Sequence, residues 1–281
     1  MQFTKMNGAG NDFIILDGVR APLDPDRLPQ LARALCHRRF GLGADGLMAV
    51  LPSDSADFTM RFYNSDGSLG EMCGNGARCI CRYGYETGLS GPTQRIQTTA
   101  GLVTGLRIAA DQYRIRLPDP TVLRTGLRLE ACGRTFVCAY VELGSPGLPH
   151  LVVEYPGLAK ADPAALLSYG RALRAHPQLP KGANVNFFEL TGPDAFLEAT
   201  YERGVEDFTY ACGTGTGSVA AVLTLQGRVS GQTVRAQMRG GVLTMDVTAQ
   251  SGAARDLFLT GPARLVARGE VFPKELLKNE I

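Results

Sequence analysis

Hydrophobic residues recur along this chain with two different spacings, one typical of strands and one typical of helices. Residues 12–17 and 58–63 are rich in β-branched and aromatic residues, as strands are. Residues 27–38 place leucines and an alanine three to four positions apart, which predicts an amphipathic helix. The same criteria predict a second helix at 163–175 and further strands at 95–99, 102–109, 113–117, 136–143, 151–154, 184–190, 195–201, 233–238 and 242–248. The chain is therefore predicted to be an α/β protein in which strands outnumber helices.

Pro118-Asp119-Pro120 interrupts the first strand-rich stretch and is the predicted boundary between two domains. Similar strand and helix patterns recur on its C-terminal side. A last predicted strand, at 263–272, follows Gly261-Pro262, and its pattern alone allows it to return to either half. A length of 281 residues suits one large domain or two of ordinary size.

A short cysteine motif occurs twice, once in each half of the chain. Residues 73–76 read Cys-Gly-Asn-Gly and residues 212–215 read Cys-Gly-Thr-Gly, with the two cysteines 139 positions apart. Each cysteine has a tyrosine ten or eleven positions before it and a glycine fifteen positions after it. A single Cys-Gly is usually a small buried pair beside a turn, but two copies with matching flanks indicate a duplicated unit. We therefore expect the thiols of the two halves to face one another across a shared cleft.

Each motif precedes a mostly apolar stretch that ends at a glycine, Gly88 or Gly227, so each cysteine is predicted to lie at a helix N-terminus. Backbone N–H groups and the helix dipole favour an anion there, and both lower the pKa of a thiol. A thiolate and a thiol on opposite faces of one carbon can remove one proton and return another. The sequence thus favours racemisation or epimerisation by two bases, with the helix N-termini stabilising the charge of the carbanion.

The composition excludes several classes of protein. The net charge is +2 with 20% charged residues, and no charged run indicates binding to nucleic acid or to a membrane surface. No apolar stretch has the features of a signal peptide or the length of a membrane span. The seven cysteines lack the spacing of a disulfide framework, so a reducing cytoplasm is the expected location.

Other uses of cysteine fit the sequence less well. Cys79 and Cys81 lack the spacing of a zinc site and no further pair of ligands completes one, so no metal is expected. A cysteine protease would need His37, His150 or His176 as its base, and it would leave the second cysteine motif unexplained. The remaining cysteines are expected to be core thiols, namely Cys36, Cys132 and Cys138.

In this order the motifs resemble those of the diaminopimelate epimerase family, and the resemblance covers essentially the whole chain. Residues 5–13 (KMNGAGNDF) and 39–46 (RFGLGADG) match the first two signatures of the family. The later signatures are matched by NSDG at 64–67, EMCGNGAR at 71–78, NVNF at 184–187, YERG at 201–204 and ACGTG at 211–215.

The resemblance implies two pseudo-symmetric α/β domains, each a curved, largely antiparallel sheet wrapped around a central helix. The N-terminal domain would comprise 1–118 together with 264–281 and carry Cys73, and the C-terminal domain would comprise 119–263 and carry Cys212. The family interconverts L,L- and meso-diaminopimelate, for lysine and peptidoglycan precursors, without PLP or any other cofactor. Cys73 and Cys212 would be its catalytic pair, and a homodimer would be the expected assembly.

The resemblance also assigns contacts to a diamino diacid substrate. Backbone N–H groups of four residues would hold the reacting α-carboxylate, namely Gly74, Asn75, Gly213 and Thr214. Asn11 would lie near the reacting amino group, Glu202 near an ammonium group, and His150 would support the site. The distal carboxylate would be bound by Asn64, Asn184 and Arg203. Judged alone, these asparagines would be assigned to turns or caps and Glu202-Arg203 to a solvent-exposed pair.

Two departures from the family concern the distal end of the substrate. Leu148 precedes Pro149-His150 where the family often has asparagine, and Gly46 stands where some members have glutamine. One alternative is therefore a PLP-independent racemase or epimerase of another amino acid, such as proline, hydroxyproline or histidine. The other is a PhzF-like isomerase or a non-catalytic binding protein on the same scaffold, against which the retention of both cysteines argues.

Overall fold

The backbone divides into two compact units. The computed structural model describes residues 1–70 and 73–276, apart from the side chain of Glu275. The first unit comprises Met1–Ile115 and Gly261–Ile281, and the second comprises Arg116–Thr260. Each unit therefore has its own core, and the chain leaves the first unit once and returns to it.

Parts of two sequence predictions lie outside the described residues. They are Glu71 and Met72, which begin the motif at 71–78, and the last five residues of the predicted first domain, 277–281. The domain boundaries predicted at 118 and 263 each lie three residues beyond those of the compact units.

The first unit is a mixed sheet with helices in two of its connections. Its strands are β1 (Gln2–Gly8), β2 (Asn11–Asp17), β3 (Gly46–Leu51), β4 (Phe58–Asn64), β5 (Thr93–Thr98), β6 (Gly101–Arg107), β7 (Gln112–Arg116) and, from the end of the chain, β17 (Arg264–Glu270). Its helices are α1 (Leu28–Cys36), α2 (Gly74–Glu86) and α5 (Pro273–Leu276). Strand β17 pairs with β1, and the order then runs from β1 to β7. The pairs β2–β3 and β4–β5 are parallel because α1 and α2 cross between their strands.

The second unit repeats this arrangement. Its strands are β8 (Pro120–Ala131), β9 (Arg134–Leu143), β10 (Leu148–Glu154), β11 (Asn184–Gly192), β12 (Ala195–Glu202), β13 (Asp207–Phe208), β14 (Val234–Met238), β15 (Gly241–Gln250) and β16 (Ala253–Pro262). Its helices are α3 (Pro163–Arg174) and α4 (Gly213–Leu225). The order is β8, β9, β10, β11, β12, β14, β15, β16, with β13 paired to β12. The parallel pairs are β10–β11 and β12–β14, at the positions they occupy in the first unit, so the duplication extends from the cysteine motifs to the topology.

Helices α2 and α4 each lie in the core of their own unit. Helix α4 is apolar on all sides and buried from Gly213 to Thr224, as expected of a helix surrounded by a sheet. It contacts β9, β10, β11 and β15, and α2 contacts β1, β2 and β6. Close approach requires glycine at Gly8 of β1, since a Cβ there would lie 2.7 Å from the backbone carbonyl oxygen of Asn75 on α2. Each sheet therefore curves around its central helix.

The amphipathic helices α1 and α3 complete the two cores. Helix α1 buries the predicted apolar positions, including Leu28, Leu31 and Leu35, against β2 and β3. Helix α3 begins after Asp162, whose carboxylate accepts two backbone N–H bonds, and it buries Leu173. Within the described residues no helix has both the length and the hydrophobicity required to cross a bilayer.

The predicted helices are confirmed, and the strands that were missed have identifiable reasons. Strand β3 is buried at five of its six positions and so lacks the alternation by which a strand is recognised. Strand β8 begins at Pro120, a residue that was interpreted as a break but that a strand tolerates at its first position. The expectation of a core thiol is wrong for Cys132, which is exposed in the turn after β8 with a φ of 48°. Cys36 and Cys138 are buried as predicted.

Candidate active site

The two sequence motifs place a cysteine immediately before each central helix. Cys73 is the N-cap residue of α2 and Cys212 is the N-cap residue of α4, both with extended backbone dihedral angles. The carbonyl of Cys73 accepts from the N–H of Ala77 at 2.8 Å, and that of Cys212 accepts from Thr216 at 2.9 Å. Each sulfur thus lies where the first N–H groups of a helix and the positive end of its dipole favour negative charge.

A chain of amides and a guanidinium orders the site of the first unit. Asn75, on the first turn of α2, donates from Nδ2 to Asn11 Oδ1 at 2.6 Å. Asn11 donates in turn to Asp45 Oδ2 at 3.0 Å, which fixes the orientation of its amide. On the other side, Arg78 donates from Nη2 to Asn75 Oδ1 at 2.8 Å and from Nη1 to the Gly74 carbonyl at 3.3 Å. The structure therefore brings together Asn11, Gly74 and Asn75, and their roles toward a substrate stay predictions.

Arg78 is a functional candidate that sequence reasoning missed. Its side chain is fully buried, and burial lowers the pKa of its guanidinium to about 10. No carboxylate pairs with it within 1–70 and 73–276, and the groups whose ionised forms would favour its charge are the thiols of Cys79, Cys73 and Cys81. An arginine inside a conspicuous cysteine motif was the available signal, but its burial could not be inferred from spacing.

A cluster of charged residues orients the side chain of Asn11 through its contact with Asp45. Asp12 lies between Lys5, at 3.0 Å, and Arg38, at 2.9 Å, and Arg38 also reaches Asp45 at 2.7 Å. Burial alone would raise the pKa of the Asp12 carboxyl, but hydrogen bonds from Arg38 and Lys5 outweigh it and hold that pKa below its usual value. This ionic cluster keeps Asp45 and hence the Asn11 amide in one orientation.

Asn64 has different hydrogen-bond partners from those of the Asn11–Asn75 pair. It ends β4, opposite Gly46 of β3, and its Nδ2 donates to Ser68 Oγ at 2.9 Å. Within the described residues no hydrogen bond links it to Asn11 or Asn75. The turn interpretation of Asn64 therefore describes its present contacts, and its role toward a substrate stays a prediction.

In the second unit the Cys212 thiol is enclosed by its own helix. Its sulfur accepts from the Gly215 N–H at 3.4 Å and lies 3.6 Å from Thr214 Oγ1, and the residue is only 7% exposed. The predicted lowering of its pKa is wrong. Burial raises the pKa of the Cys212 thiol, the charge of Glu202 raises it further, and the hydrogen bonds from Thr214 and Gly215 do not compensate. The resting form of Cys212 is therefore the neutral thiol.

Asn184 and Arg203 meet at the ends of neighbouring strands. The Arg203 backbone N–H donates to Asn184 Oδ1 at 2.8 Å, and Arg203 Nη1 donates to the Lys181 carbonyl at 3.0 Å. Lys181 is itself tied to Glu142 at 2.9 Å. Two of the three residues predicted to bind a distal carboxylate are thus adjacent. The Arg203 guanidinium is fixed by its bond to the Lys181 carbonyl.

His150 is a buried residue of β10 that lies beside Asn184, the first residue of β11. It faces Asn184 across the parallel β10–β11 pair, and its Nδ1 lies 3.3 Å from Asn186 Nδ2. Burial, with the nearby charge of Arg203, lowers the pKa of its imidazole to about 3, so His150 is neutral. Its Nε2 is buried and has no hydrogen-bond partner among the described residues. The ring can therefore support Asn184 and Asn186, but it does not contribute positive charge.

Comparison with known proteins relates this geometry to a family. The profile of the family "Diaminopimelate epimerase" matches residues 3–114 and 143–266. A diaminopimelate epimerase of Desulforudis audaxviator is 39% identical over 286 residues, which cover 96% of this chain and 99% of that relative. That of Desulfitobacterium hafniense is 37% identical over 288 residues, with 96% and 97% covered. The chain belongs to the diaminopimelate epimerase family.

Solved structures confirm the predicted fold of this diaminopimelate epimerase family member. A PhzF-family phenazine biosynthesis protein of Bacillus anthracis superposes with a TM-score of 0.74 at 15% identity, over 97% of this chain and 99% of that one. A hydroxyproline epimerase of Agrobacterium vitis superposes with a TM-score of 0.70 at 20% identity, over 96% and 90%. At such identities the likeness concerns the fold alone. The predictions of family and fold class are both confirmed.

The diaminopimelate epimerase family member has no candidate metal centre within the part of the chain that the structure describes. No three side chains of His, Cys, Asp or Glu are clustered there as ligands would be. The second unit does contain a buried polar group that the sequence did not indicate, Glu198 with Thr200 and Thr216. Its only sequence signal is the pair of polar residues at alternate positions, 198 and 200, of the predicted strand at 195–201.

Proposed function

We propose that this protein is an isomerase that interconverts L,L-2,6-diaminopimelate and meso-diaminopimelate without a cofactor. The observation that carries the proposal is the duplicated unit in which a cysteine begins each buried central helix. Membership of a family of epimerases supports it, as does the proximity of Asn11 to Asn75 on the first turn of α2.

The proposed reaction transfers one proton at each of two thiols. The thiolate of one cysteine removes the Cα proton and becomes a thiol, and the electron pair left on carbon is delocalised into the α-carboxylate. The thiol of the other cysteine then donates its proton to the opposite face and becomes the thiolate. The N–H groups of Gly74 and Asn75, and those of Gly213 and Thr214, would stabilise the carboxylate as its negative charge increases.

The unequal flanks of the two cysteines would select the substrate. Arg203, held by Asn184 and Lys181, presents a guanidinium suited to a second carboxylate. Asn64 would add an uncharged donor, and Glu202 would contact an ammonium group. Leu148 has no side-chain amide. We therefore propose that binding of the distal carboxylate depends on Arg203 more than on side chains of the neighbouring strand β10.

The biological setting follows from the same proposal. The reaction would serve lysine and peptidoglycan precursor biosynthesis in the cytoplasm, and the protein would act as a homodimer. Size-exclusion chromatography with light scattering tests the dimer directly.

Exchange of the Cα proton in heavy water tests the activity. Incubation with L,L-diaminopimelate, followed by proton NMR, should show loss of the Cα–H signal together with formation of the meso isomer. Proline, hydroxyproline and histidine, tested in parallel, should not exchange. Exchange with one of them but not with L,L-diaminopimelate would favour the racemase of another amino acid instead.

Alanine substitution of each thiol tests the mechanism. Cys73→Ala and Cys212→Ala should each lower epimerisation by at least about a thousandfold, as expected when one of two essential proton-transfer groups is removed. Cys132→Ala is the matched control, because that thiol is exposed in a turn and begins no helix. Near wild-type turnover by either active-site variant would exclude a two-thiol mechanism.

A further inference from the structure

A cluster of buried polar side chains lies directly behind the N-terminus of α4. Glu198 and Thr200 of β12 are 3% exposed, and Thr216 of α4 and Asn186 of β11 are fully buried. Glu198 Oε2 lies 2.7 Å from Thr216 Oγ1, and Glu198 Oε1 lies 3.3 Å from Thr200 Oγ1. Buried polar groups are costly unless they are hydrogen-bonded, so this arrangement requires an explanation.

The two threonines connect Glu198 to the functional residues. Thr216 Oγ1 also lies 3.0 Å from the carbonyl of Cys212, the residue that begins α4. Thr200 Oγ1 also lies 3.0 Å from Asn186 Oδ1, and Asn186 contacts His150 through its amide nitrogen. Each hydroxyl therefore lies between the Glu198 carboxyl and one acceptor of the site.

Counting hydrogens shows which form of Glu198 satisfies the two contacts of the Thr216 hydroxyl. A hydroxyl donates one hydrogen, whereas a carbonyl oxygen and an ionised carboxylate only accept. If Thr216 donates to the Cys212 carbonyl, its 2.7 Å contact with Glu198 is a hydrogen bond only when Glu198 donates to it. A protonated Glu198 satisfies both contacts of Thr216. An ionised Glu198 would take the hydrogen of Thr216 and leave the Cys212 carbonyl without it.

The surroundings also favour the neutral carboxyl. No cation pairs with Glu198 among the residues that the structure describes, and burial raises the pKa of its carboxyl to about 8 despite the two threonines. Among titratable groups, Cys212 on α4 interacts electrostatically with Glu198 and with Glu202 of the same strand, and His150 on β10 lies beyond Asn186. A negative charge on Glu198 would moreover disfavour a thiolate on Cys212.

We propose that Glu198 is a positioning residue that carries a proton in the active protein and thereby keeps Thr216 bonded to the Cys212 carbonyl. The inference rests on the proposed function, because it assigns Cys212 a proton-transfer role. When Glu198 ionises, the Thr216 and Thr200 hydroxyls both turn to the carboxylate. The Cys212 carbonyl then keeps only its backbone bond from the Thr216 N–H, and Asn186 Oδ1 loses the Thr200 hydroxyl. Activity is then lost through Glu198, although Glu198 touches no substrate.

The pH dependence of kcat for Glu198→Gln tests this inference. The glutamine amide donates to Thr216 as the carboxylic acid does, and it cannot ionise. The variant should keep kcat at pH 7 within about threefold of wild type, and its loss of kcat at alkaline pH should begin about one pH unit higher. Glu130→Gln, an exposed glutamate on β8, is the control and should leave the profile unchanged. An alkaline limb at the same pH in wild type and Glu198→Gln would overturn the proposal.

Infrared difference spectroscopy reports the proton on Glu198 without any need for activity. Wild type at pH 7 should show the C=O stretch of a protonated carboxylic acid, and the band should disappear in Glu198→Gln and as the pH rises through about 8. Absence of the band at pH 7 would also overturn the proposal. An inactive wild type that retains the band would contradict the epimerase function and not the protonation.

Thr216→Val provides a second variant should Glu198→Gln fail to fold. The Thr216 hydroxyl contacts Glu198 at 2.7 Å, so its removal should shift the pH at which the infrared band is lost. A band lost at the wild-type pH in Thr216→Val would contradict the coupling between the two side chains.

Discussion

The two central helices share a backbone arrangement but differ in the charge buried behind them. Helix α2 carries the guanidinium of Arg78 one turn beyond Cys73, fully buried and bonded to its first turn. Helix α4 instead has the carboxyl of Glu198 behind it, linked to the Cys212 carbonyl through Thr216. A cation in one unit thus corresponds to a proton-bearing acid in the other.

This difference explains how a duplicated thiol can serve as two different reagents. A racemising pair needs one thiolate and one thiol in each direction, so identical surroundings would favour neither. The buried charge of Arg78 attracts negative charge on the Cys73 sulfur. Burial and Glu202 raise the pKa of the Cys212 thiol and hold it neutral. The comparison predicts that the resting protein carries its thiolate in the first unit.

Removal of the distal guanidinium should have the largest effect among the tests of this asymmetry. Arg203→Ala should raise KM for L,L-diaminopimelate by about a hundredfold with a smaller change in kcat, because a charged pair with the distal carboxylate is lost. Steady-state kinetics with an assay that distinguishes the L,L from the meso isomer measures both constants. Asn64→Ala, the uncharged counterpart in the first unit, should change KM by about tenfold at most. Equal effects of Arg203→Ala and Asn64→Ala on KM would show that the charge of Arg203 does not give it the larger part in substrate binding.

Removal of the buried cation tests the other side of the comparison. Arg78→Met preserves the length and much of the volume of the side chain but removes the guanidinium that donates to Asn75 Oδ1 and to the Gly74 carbonyl. We expect kcat to fall by about ten- to a hundredfold, in line with the loss of one preorganised electrostatic contact. Arg82→Met is the matched control, since Arg82 lies one turn further along α2 and contacts Glu86 and the Ala263 carbonyl. An unchanged kcat in Arg78→Met would show that the buried guanidinium does not contribute to catalysis.

Sequence reasoning located both central helices but could not have found the groups behind them. The repeated cysteine motif identified α2 and α4 because glycines and a helix start leave a local pattern. The proximity of Asn184 and Arg203 followed only from the family resemblance, since nineteen positions separate them. The roles of Arg78 and Glu198 depend on burial by strands distant in sequence. The pKa of Cys212 was predicted with the wrong sign for the same reason, because desolvation outweighs the helix N-terminus.

Alkylation of the free protein compares the two thiols directly. Cys73 is half-buried and begins a helix with a cation behind it, so it should react with iodoacetamide at pH 7 about tenfold faster than Cys212. Mass spectrometry of the digested protein gives the rate at each residue. Cys132 is the internal control, since it is more exposed but lies at no helix N-terminus. If Cys132 reacts faster than Cys73, exposure rather than thiolate character determines the rates, and the predicted resting state is wrong.

Thermal stability gives the smallest effect and isolates Glu198 from catalysis. Folding raises the pKa of the Glu198 carboxyl from 4.5 to about 8, so the folded protein holds a proton that the unfolded chain releases between these values. The stabilising contribution of the neutral carboxyl is complete below about pH 4.5 and declines as the pH rises to about 8. Glu198→Gln lacks this decline. Its Tm should exceed that of wild type by about 5 °C more at pH 8.5 than at pH 5.

Calorimetric scans of wild type, Glu198→Gln and Glu130→Gln at a series of pH values measure this difference. Exposed Glu130 should give a Tm difference that does not vary with pH, because its carboxyl meets the same solvent before and after unfolding. A pH-independent difference for Glu198→Gln as well would mean that Glu198 is ionised in the folded protein. The Thr216 hydroxyl would then donate to the ionised Glu198 carboxylate. A buried anion behind α4 would then correspond to the buried cation on α2.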